Sequence, residues 1–580
     1  MQIFNKYKKQ GSFGFASCLD MAKAILANIP QDAMNETIEN IELSKIGKGP
    51  DDKSGYFLNI YLKDKFVQDS IKFINAQEKV TMKSEMADEE TKEGTQPRET
   101  VLVDFSSPNI AKNMHVGHLR STIQGDSICR IFEFLGYDVK RVNHVGDWGT
   151  QFGMLIQELN ENFPDFLENT PNIADLQSFY QNAKKRFDSD DEFKKKAHEN
   201  VVKLQGGDEN CRAAWKMLCD VSRQEFQKLY NRMDIKIDEV GESFYNPFLS
   251  PMVNELKESG VAVEDQGALC IFVGKKKAPP VMIQKSDGGF GYASTDLAAI
   301  RYRSNELKCN RVVYVTDVSQ ELHFKQVFEA AEKCGFVDRK AVKLDHMMFG
   351  MVLQEVITID ENGKEVKKQE KIKTREGKSV KLIELLDEAK ERQLKMFKQR
   401  MGQSDEETTK VQIEGEDELE RAAEVLGLSS VKYFDLRQNR TQNYVFDFDQ
   451  MLDPKGNTGV YLIYSYVRIC SILRKAEFDL QTIPSNNEDF QFVISNKAER
   501  DLALTLLRLP EAIESTARDL MVNRLTDQLY EISVRVGDFY HASRVLGSEE
   551  QKSRIALLVA TKKCMEVCFD LLGMKTIQRI

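Results

Sequence analysis

Three stretches of the sequence predict an α/β fold built on a parallel sheet, with a separate α+β module before it and an all-α region after it. Val101 to Tyr137, VLVDFSSPNIAKNMHVGHLRSTIQGDSICRIFEFLGY, opens with an apolar strand (Val101–Phe105) and crosses a polar loop. It ends in an apolar-periodic helix from about Leu119 to Leu135, stopped by Gly136. Arg311 to Val352 repeats the alternation as strand (Arg311–Asp317), helix (Gln320–Cys334) and strand (Val342–Val352). That spacing implies parallel pairing through a right-handed crossover. From Leu419 onward helix follows helix.

The chain has 580 residues and 66.4 kDa, so roughly three or four domains are expected. Hydrophobic content of 41% and charged content of 30% describe a soluble globular protein. No apolar run approaches the ~18 residues that span a bilayer, and MQIFNKYKKQGSFGF lacks a secretory core. A cytoplasmic location with no membrane partner is the expectation. The ten cysteines contain no Cys-x-x-Cys pair. Cys564 and Cys568 lie one helical turn apart without a nearby third ligand, and read as core thiols. A net charge of −10 argues against a generally basic nucleic-acid binder, and no DNA partner is expected. A folded RNA can still be held by local basic faces and stacking aromatics.

In chain order, residues 1–95 form the first module. It has a helical pattern from Ser17 to Leu26, strand-like runs Thr37–Ile46 and Tyr56–Leu62 around KGPDDKSG, and a helix over Asp64–Asn75. The acidic, polar segment Met86–Gln96 reads as a linker. The loop after the Val101–Phe105 strand holds Asn109, Lys112, His115, Gly117 and His118. A strand feeding a helix through such a loop aims backbone N–H groups and the positive helix end at one spot. Two histidines and a lysine add donors, and Gly117 lets a ligand approach the backbone; the chemistry suits a polyphosphate. A second strand, Val139–His144, leads into NHVGDWGTQFGMLI, where the glycines around Asp147 and Trp148 make a tight loop. A structural turn and a ligand contact both remain open there. Ile173–Met233 reads as charged, solvated helix, and short strands follow from Ile235.

Glu242 stands after Gly241 at a strand end, and Tyr292 and Asp296 sit four apart at a helix start, on one face. A carboxylate and a phenol at one pocket suit a guanidinium, although an Asp near a helix start is more often a cap. Lys371–Arg375 (KIKTR) is, on its own, a solvated basic loop. Tyr461, Tyr464 and Arg468 share roughly one helix face, as a packed Tyr-rich helix or as a stacking platform for unpaired bases.

His115-Val116-Gly117-His118 resembles the HIGH motif of class I aminoacyl-tRNA synthetases. Its flanks SSPNIAK and LRST resemble the arginyl-tRNA synthetases, and the eukaryotic cytosolic form most. The resemblance implies an N-terminal tRNA-elbow module (1–95) and a Rossmann-type catalytic domain (96–395) with insertions over about 157–285. An all-α anticodon-binding domain (396–580) completes it, with AAEVLGLSSVKYFDLRQNR and GNTGVYLIYSYVRICSILR as the nearest runs. KIKTR resembles the KMSKS motif, but Thr374 stands where that motif has its catalytic lysine. Arginyl-tRNA synthetases that lack it carry a lysine three residues before the first histidine, and Lys112 occupies that place.

The implied catalytic residues are Lys112, His115, His118 and Lys373. ATP would meet His115, Gly117, His118, His346, Met347, Gly350, Lys371 and Lys373. Arginine would meet Asn109, His118, Glu242, Tyr292, Asp296 and Gln320, and tRNA(Arg) would meet Tyr461, Tyr464 and Arg468. Magnesium would accompany ATP without a dedicated protein site. A monomer without an editing domain is expected, since a carboxylate-lined pocket penalises any amino acid lacking a guanidinium. Synthetases for cysteine, glutamine or glutamate are disfavoured by missing zinc ligands, the helical tail and a pocket of carboxylates. The remaining alternative is a catalytically silent RNA-binding or scaffold relative; intact Lys112, His115 and His118 speak against it.

Overall fold

The computed structural model describes residues 17–46, 54–82, 98–166, 168, 176–274, 279–359, 365–372, 380–402, 415–476 and 492–579. By contacts the chain falls into two compact units, neither a single run of sequence. One is Met1–Val80 with Ile469–Leu509 and Glu531–Met565; the other is Thr81–Arg468 with Pro510–Tyr530 and Glu566–Ile580.

In the first unit Ser17 caps the helix Cys18–Ala27, its side chain accepting from the Asp20 N–H. Ile38–Ile46 and Gly55–Leu62 pair antiparallel, and the helix Asp64–Ala76 buries Val67 and Ile71. C-terminal segments complete this unit: Arg500 donates to the Leu62 carbonyl at 2.7 Å and Lys563 to the Asn75 carbonyl at 2.8 Å. A buried Arg554–Glu499 pair (2.8 Å) ties its own helices together.

The second unit carries the parallel sheet. Its elements are β1 (Thr100–Asp104), α1 (Val116–Phe134), β2 (Asp138–Asn143), α2 (Gln151–Asn162), α3 (Glu209–Met233), β3 (Asp238–Glu239), α4 (Tyr292–Asn305), β4 (Arg311–Tyr314), α5 (Glu321–Lys333) and β5 (Lys343–His346). The strand order is β5-β4-β1-β2-β3, all parallel. Val101, Leu102 and Val103 of β1 are buried, as a central strand covered on both faces requires. Connections run outward in both directions from the β1–β4 pair, so the crevice beyond the carboxyl ends of β1 and β4 is the switch point where such sheets bind ligands.

Helices Leu176–Ser189 and Asp191–Gly206 and a small antiparallel sheet (Val263–Asp265, Ala268–Ile271, Val281–Gln284) interrupt this scaffold. The strand expected over Val342–Val352 is two elements. β5 ends at His346, MMFGM forms a loop, and Val352–Ile359 starts a separate hairpin with Glu365–Lys371. Its first residues also pair in parallel with Tyr444–Val445, a two-residue strand inside the stretch expected to be wholly helical. The tail otherwise runs as helices, beginning with Glu416–Leu436 and Gly459–Lys475. All ten cysteines are free thiols, and Cys564 and Cys568 are buried.

Two buried ion pairs hold the floor of this unit. Asp104, the last residue of β1, meets Arg303 of α4 at 2.8 Å. Arg120 of α1 meets Asp435 at 2.9 Å and donates to the Gly350 carbonyl at 2.7 Å. Removing one member of such a pair strands the other charge and costs about 3–5 kcal/mol.

Candidate active site

Between β1 and α1 the backbone turns through three non-glycine residues with positive φ: Ser106 (70°), Ser107 (45°) and Ala111 (61°). Conformations this unfavourable persist only where surroundings over-determine them, and here they do. The Ser106 N–H donates to Ser121 Oγ (2.9 Å), the Ser107 N–H to Asn143 Oδ1 (3.0 Å) and the Ala111 N–H to Ser222 Oγ (3.0 Å). Asn109 bridges to Gly146 in parallel. A Cβ on Gly146 would lie 2.2 Å from Asn109 Oδ1, so the glycine is what lets the two turns close on each other.

His115 caps α1. Its Nδ1 accepts from the Gly117 N–H (3.0 Å), while the His115 N–H donates to His118 Nδ1 (3.1 Å), and the two rings stand 4.1 Å apart. Burial, then the charge of neighbouring Lys112, then that of Lys371, holds the His115 imidazole below its usual range. Burial, with His115 beside it, pushes His118 down to about 3. Both rings are therefore neutral near pH 7 and present hydrogen-bonding edges without adding charge. Lys112 is exposed, its ammonium 5.2 Å from the Tyr180 ring. The start of the helix that follows, Leu382–Gly402, meets this cap: Lys381 bridges to His115, and the Leu382 N–H donates to the Met114 carbonyl at 2.9 Å. Lys373, Thr374 and Arg375 lie outside the described residues.

Across the sheet edge the polarity reverses. Glu242 opens a short 3-10 turn (Glu242–Tyr245) after β3. Burial, then the charges of Asp147 and Asp296, push its carboxyl up to about 8. Asp296, on α4, accepts from or pairs with His323 Nε2 at 2.6 Å, a contact that raises the His323 imidazole. Tyr292, at the first position of α4, is 78% exposed. Gln320 is exposed where the chain enters α5. His346 Nε2 shares a hydrogen with Thr316 Oγ1 (2.8 Å) and its ring lies 4.7 Å from Phe324. Burial brings it down to about 4. Met347 is fully buried, and a Cβ on Gly350 would lie 2.4 Å from the Gln442 carbonyl oxygen. These two residues can offer a ligand backbone and shape only.

In the tail Tyr461 and Tyr464 are half-buried and Arg468 is exposed. The Tyr464 hydroxyl accepts from Arg400 at 2.6 Å, and the same guanidinium lies 5.4 Å from its ring centre. The Tyr461 ring sits 6.1 Å from Tyr530. A cavity of about 880 Å³ between the helix Glu416–Leu436 and residues 573–579 contains none of these side chains.

The sequence points to Glu242 and Asp296 but carries no signal for His323, three residues beyond Gln320 in the first turn of α5. For Asp147 the one signal in the sequence is its place in Gly146-Asp147-Trp148-Gly149, which fits a structural turn and a ligand contact equally.

A Rossmann-type parallel sheet with a histidine-capped helix at its switch point is the architecture of a class I aminoacyl-tRNA synthetase. The family model for the class I (R) tRNA synthetase catalytic domain matches residues 81–448, and that for the DALR anticodon-binding domain matches 462–580. An arginine–tRNA ligase of Crocosphaera subtropica is 42% identical over 99% of this chain and 94% of its own. One from Nostoc punctiforme is 42% identical over the same shares. The arginyl-tRNA synthetase structure from Plasmodium falciparum superposes with a TM-score of 0.79 at 37% identity, covering 100% of this chain and 91% of that one. The Thermus thermophilus enzyme, at 20% identity and a TM-score of 0.67 over 93% and 89%, shares the fold. The chain belongs to the class I arginyl-tRNA synthetases.

Proposed function

We propose that this arginine–tRNA ligase condenses arginine with ATP in the crevice beyond β1 and β4, then passes the arginyl group to tRNA(Arg). The observation that carries the reading is the polarity of that crevice. Neutral imidazoles and lysines stand on the α1 side, and Glu242, Asp296 and Asp147 converge on the other.

In the first step the arginine carboxylate attacks the α-phosphorus of ATP, the bond to the bridging oxygen of pyrophosphate breaks, and arginyl-adenylate forms. The protein's task is alignment and charge stabilisation. His115 and His118 donate hydrogen bonds to phosphate oxygens, Gly117 lets them approach the helix end, and Lys112 meets the charge developing on the leaving group, with Lys371 and Lys373 at the basic loop. Asn109 and His118 hold the arginine backbone groups. Glu242 and Asp296 take the guanidinium, with Tyr292 and Gln320 at the rim. The His346–Gly350 segment lines the adenine side. In the second step the terminal ribose hydroxyl of tRNA takes the arginyl group and AMP leaves.

Magnesium would arrive as the ATP complex; among the described residues no group of three His, Cys, Asp or Glu side chains is placed to hold a metal. Tyr461, Tyr464 and Arg468 would face tRNA. Among the described residues no helix is long and apolar enough to cross a membrane; we place the enzyme in the cytoplasm, as a monomer.

Aminoacylation of purified tRNA(Arg) tests the reading, with the twenty amino acids offered singly. Charging with arginine alone is the expected result. Charging with another amino acid, or none, would overturn it.

A further inference from the structure

We propose that Asp147 is the positioning residue of the guanidinium site: through Ser243 it fixes the turn that aims Glu242, and it sets a fixed negative charge behind that carboxylate. The inference rests on reading Glu242 as a ligand of the arginine guanidinium.

The turn after β2 and the turn after β3 are zipped together. The Val240 N–H donates to the Asn143 carbonyl and the Glu242 N–H to the Val145 carbonyl, both at 3.0 Å. The zip ends on the Asp147 carboxylate: Oδ1 accepts from the Ser243 N–H at 2.8 Å and Oδ2 from the Ser243 hydroxyl at 2.6 Å. Gly241 packs flat against the same carboxylate, where a Cβ would sit 2.3 Å from Oδ2. Trp215 of α3 fixes the backbone behind it, its Nε1–H donating to the Asp147 carbonyl at 2.7 Å. Glu242 is thus flanked on both sides by groups locked to the 145–147 turn.

Joining two turns does not require a charge; a neutral asparagine could hold Ser243. Yet Asp147 is 2% exposed, and a buried carboxylate without a cation is costly. The nearest cation, Arg223, relieves it only from a distance and makes no direct contact with it. From α3, Arg223 is committed to Asp220 (2.9 Å) and to Glu239 of β3 (2.7 Å). From α4 comes another carboxylate, Asp296, whose partner is His323 of α5. His144, at the exit of β2, is held neutral by burial. Burial accordingly lifts the Asp147 carboxyl above its usual range. The missing cation is the one the substrate brings. In the empty site Asp147 makes it hard for Glu242 to ionise; when a guanidinium enters, both carboxylates act on it at once.

The test uses the full chain with tRNA(Arg) present. Arginine-dependent ATP–pyrophosphate exchange gives the arginine and ATP KM values between about pH 6 and 9.5. Glu242→Gln is the control for the underlying reading: it should raise the arginine KM about 100-fold and the ATP KM by less than about twofold. An unchanged arginine KM there would remove the Glu242 reading and this proposal with it. Asp147→Asn should raise the arginine KM about tenfold at high pH and leave that for ATP within about twofold. It should also move the rising limb of kcat/KM for arginine about one pH unit toward acid, since a like charge has been taken away. Ser243→Ala loosens the turn but keeps the charge, so the arginine KM should rise about threefold with the limb in place. With the Glu242→Gln effect intact, an Asp147→Asn profile superimposable on wild type, or equal losses for arginine and ATP, would overturn the proposal. If Asp147→Asn fails to fold, Ser243→Ala decides: an unchanged arginine KM overturns it.

Discussion

The two walls of the crevice meet the same physical pressure and answer it with opposite chemistry. On the α1 wall burial drives protons off His115 and His118. On the wall formed by β3, α4 and the 145–147 turn it drives a proton onto Glu242. In both places partial desolvation, the largest cause of each shift, works against the charged form of the group. What differs is the ligand each wall awaits. One offers neutral donors and exposed lysines to an anion; the other offers carboxylates to a cation. On the reading proposed above, a zwitterion with a guanidinium at its far end would span the two with its carboxylate turned to the phosphates. The contrast teaches that, on this reading, discrimination would come from the polarity of opposed walls more than from either wall alone.

The sharpest way to break the contrast is to remove the exposed positive charge of Lys112 from the α1 wall. Lys112→Ala should slow adenylate formation by about 10²–10³-fold, read by pyrophosphate exchange with tRNA present. Near-normal exchange would mean that the basic loop at Lys371 to Arg375 supplies the charge after all. Next in size, Asp296→Asn should raise the arginine KM by about 10–100-fold while the ATP KM moves little, since one charge-assisted partner of the guanidinium is lost. The reverse order, ATP affected more than arginine, would move Asp296 to the nucleotide side. The same variant frees His323 from its 2.6 Å partner, so its imidazole should titrate nearer its ordinary range, visible by NMR.

Most of the α1 wall was legible in the sequence, because a strand, a loop rich in donors and a helix are local features written in consecutive residues. The acidic wall was not legible in that way. Glu242, Asp296 and Asp147 lie on three separate segments, and only the sheet brings them together. Spacing alone favoured a capping role for Asp296; the structure gives the α4 cap position to Gly291 and turns Asp296 toward His323. The strand expected over Val342–Val352 broke at His346 for a tertiary reason. Gly350 is wedged beneath Gln442 and its carbonyl is claimed by Arg120, contacts from distant stretches that no local period reveals. The Arg120–Asp435 pair escaped notice for the same cause: an arginine in an apolar helix reads as exposed until its partner is known.

The pH dependence of arginine use sharpens the comparison at the acidic wall. With its carboxyl pushed up to about 8, Glu242 is protonated in the empty enzyme at lower pH, and a guanidinium must displace that proton to pair with it. Binding therefore releases a proton. The arginine KM should fall by up to about tenfold per unit as pH rises toward about 8, then level off. The histidines of the α1 wall lie on the other side of neutrality, so the ATP KM should stay nearly flat over the same range. A flat arginine profile, or one that worsens as pH rises, would contradict an ionising Glu242.

The smallest effect belongs to the tail, where the contrast is with a surface already satisfied by its own chain. Tyr464 accepts a hydrogen bond from Arg400 and lies under the same guanidinium, so a base stacking there would have to share or displace that contact. The net gain from RNA is then less than the ~1–3 kcal/mol per base that an open platform offers. Tyr464→Ala should raise the tRNA KM by only about three- to tenfold, with arginine and ATP KM values unchanged. Tyr464→Phe keeps the ring and loses the hydroxyl, which separates the two uses of the side chain. If Phe restores wild-type tRNA use, the stacked face matters. If Phe behaves as Ala, the hydroxyl that anchors Arg400 is the working part, and the tyrosine serves RNA by aiming an arginine.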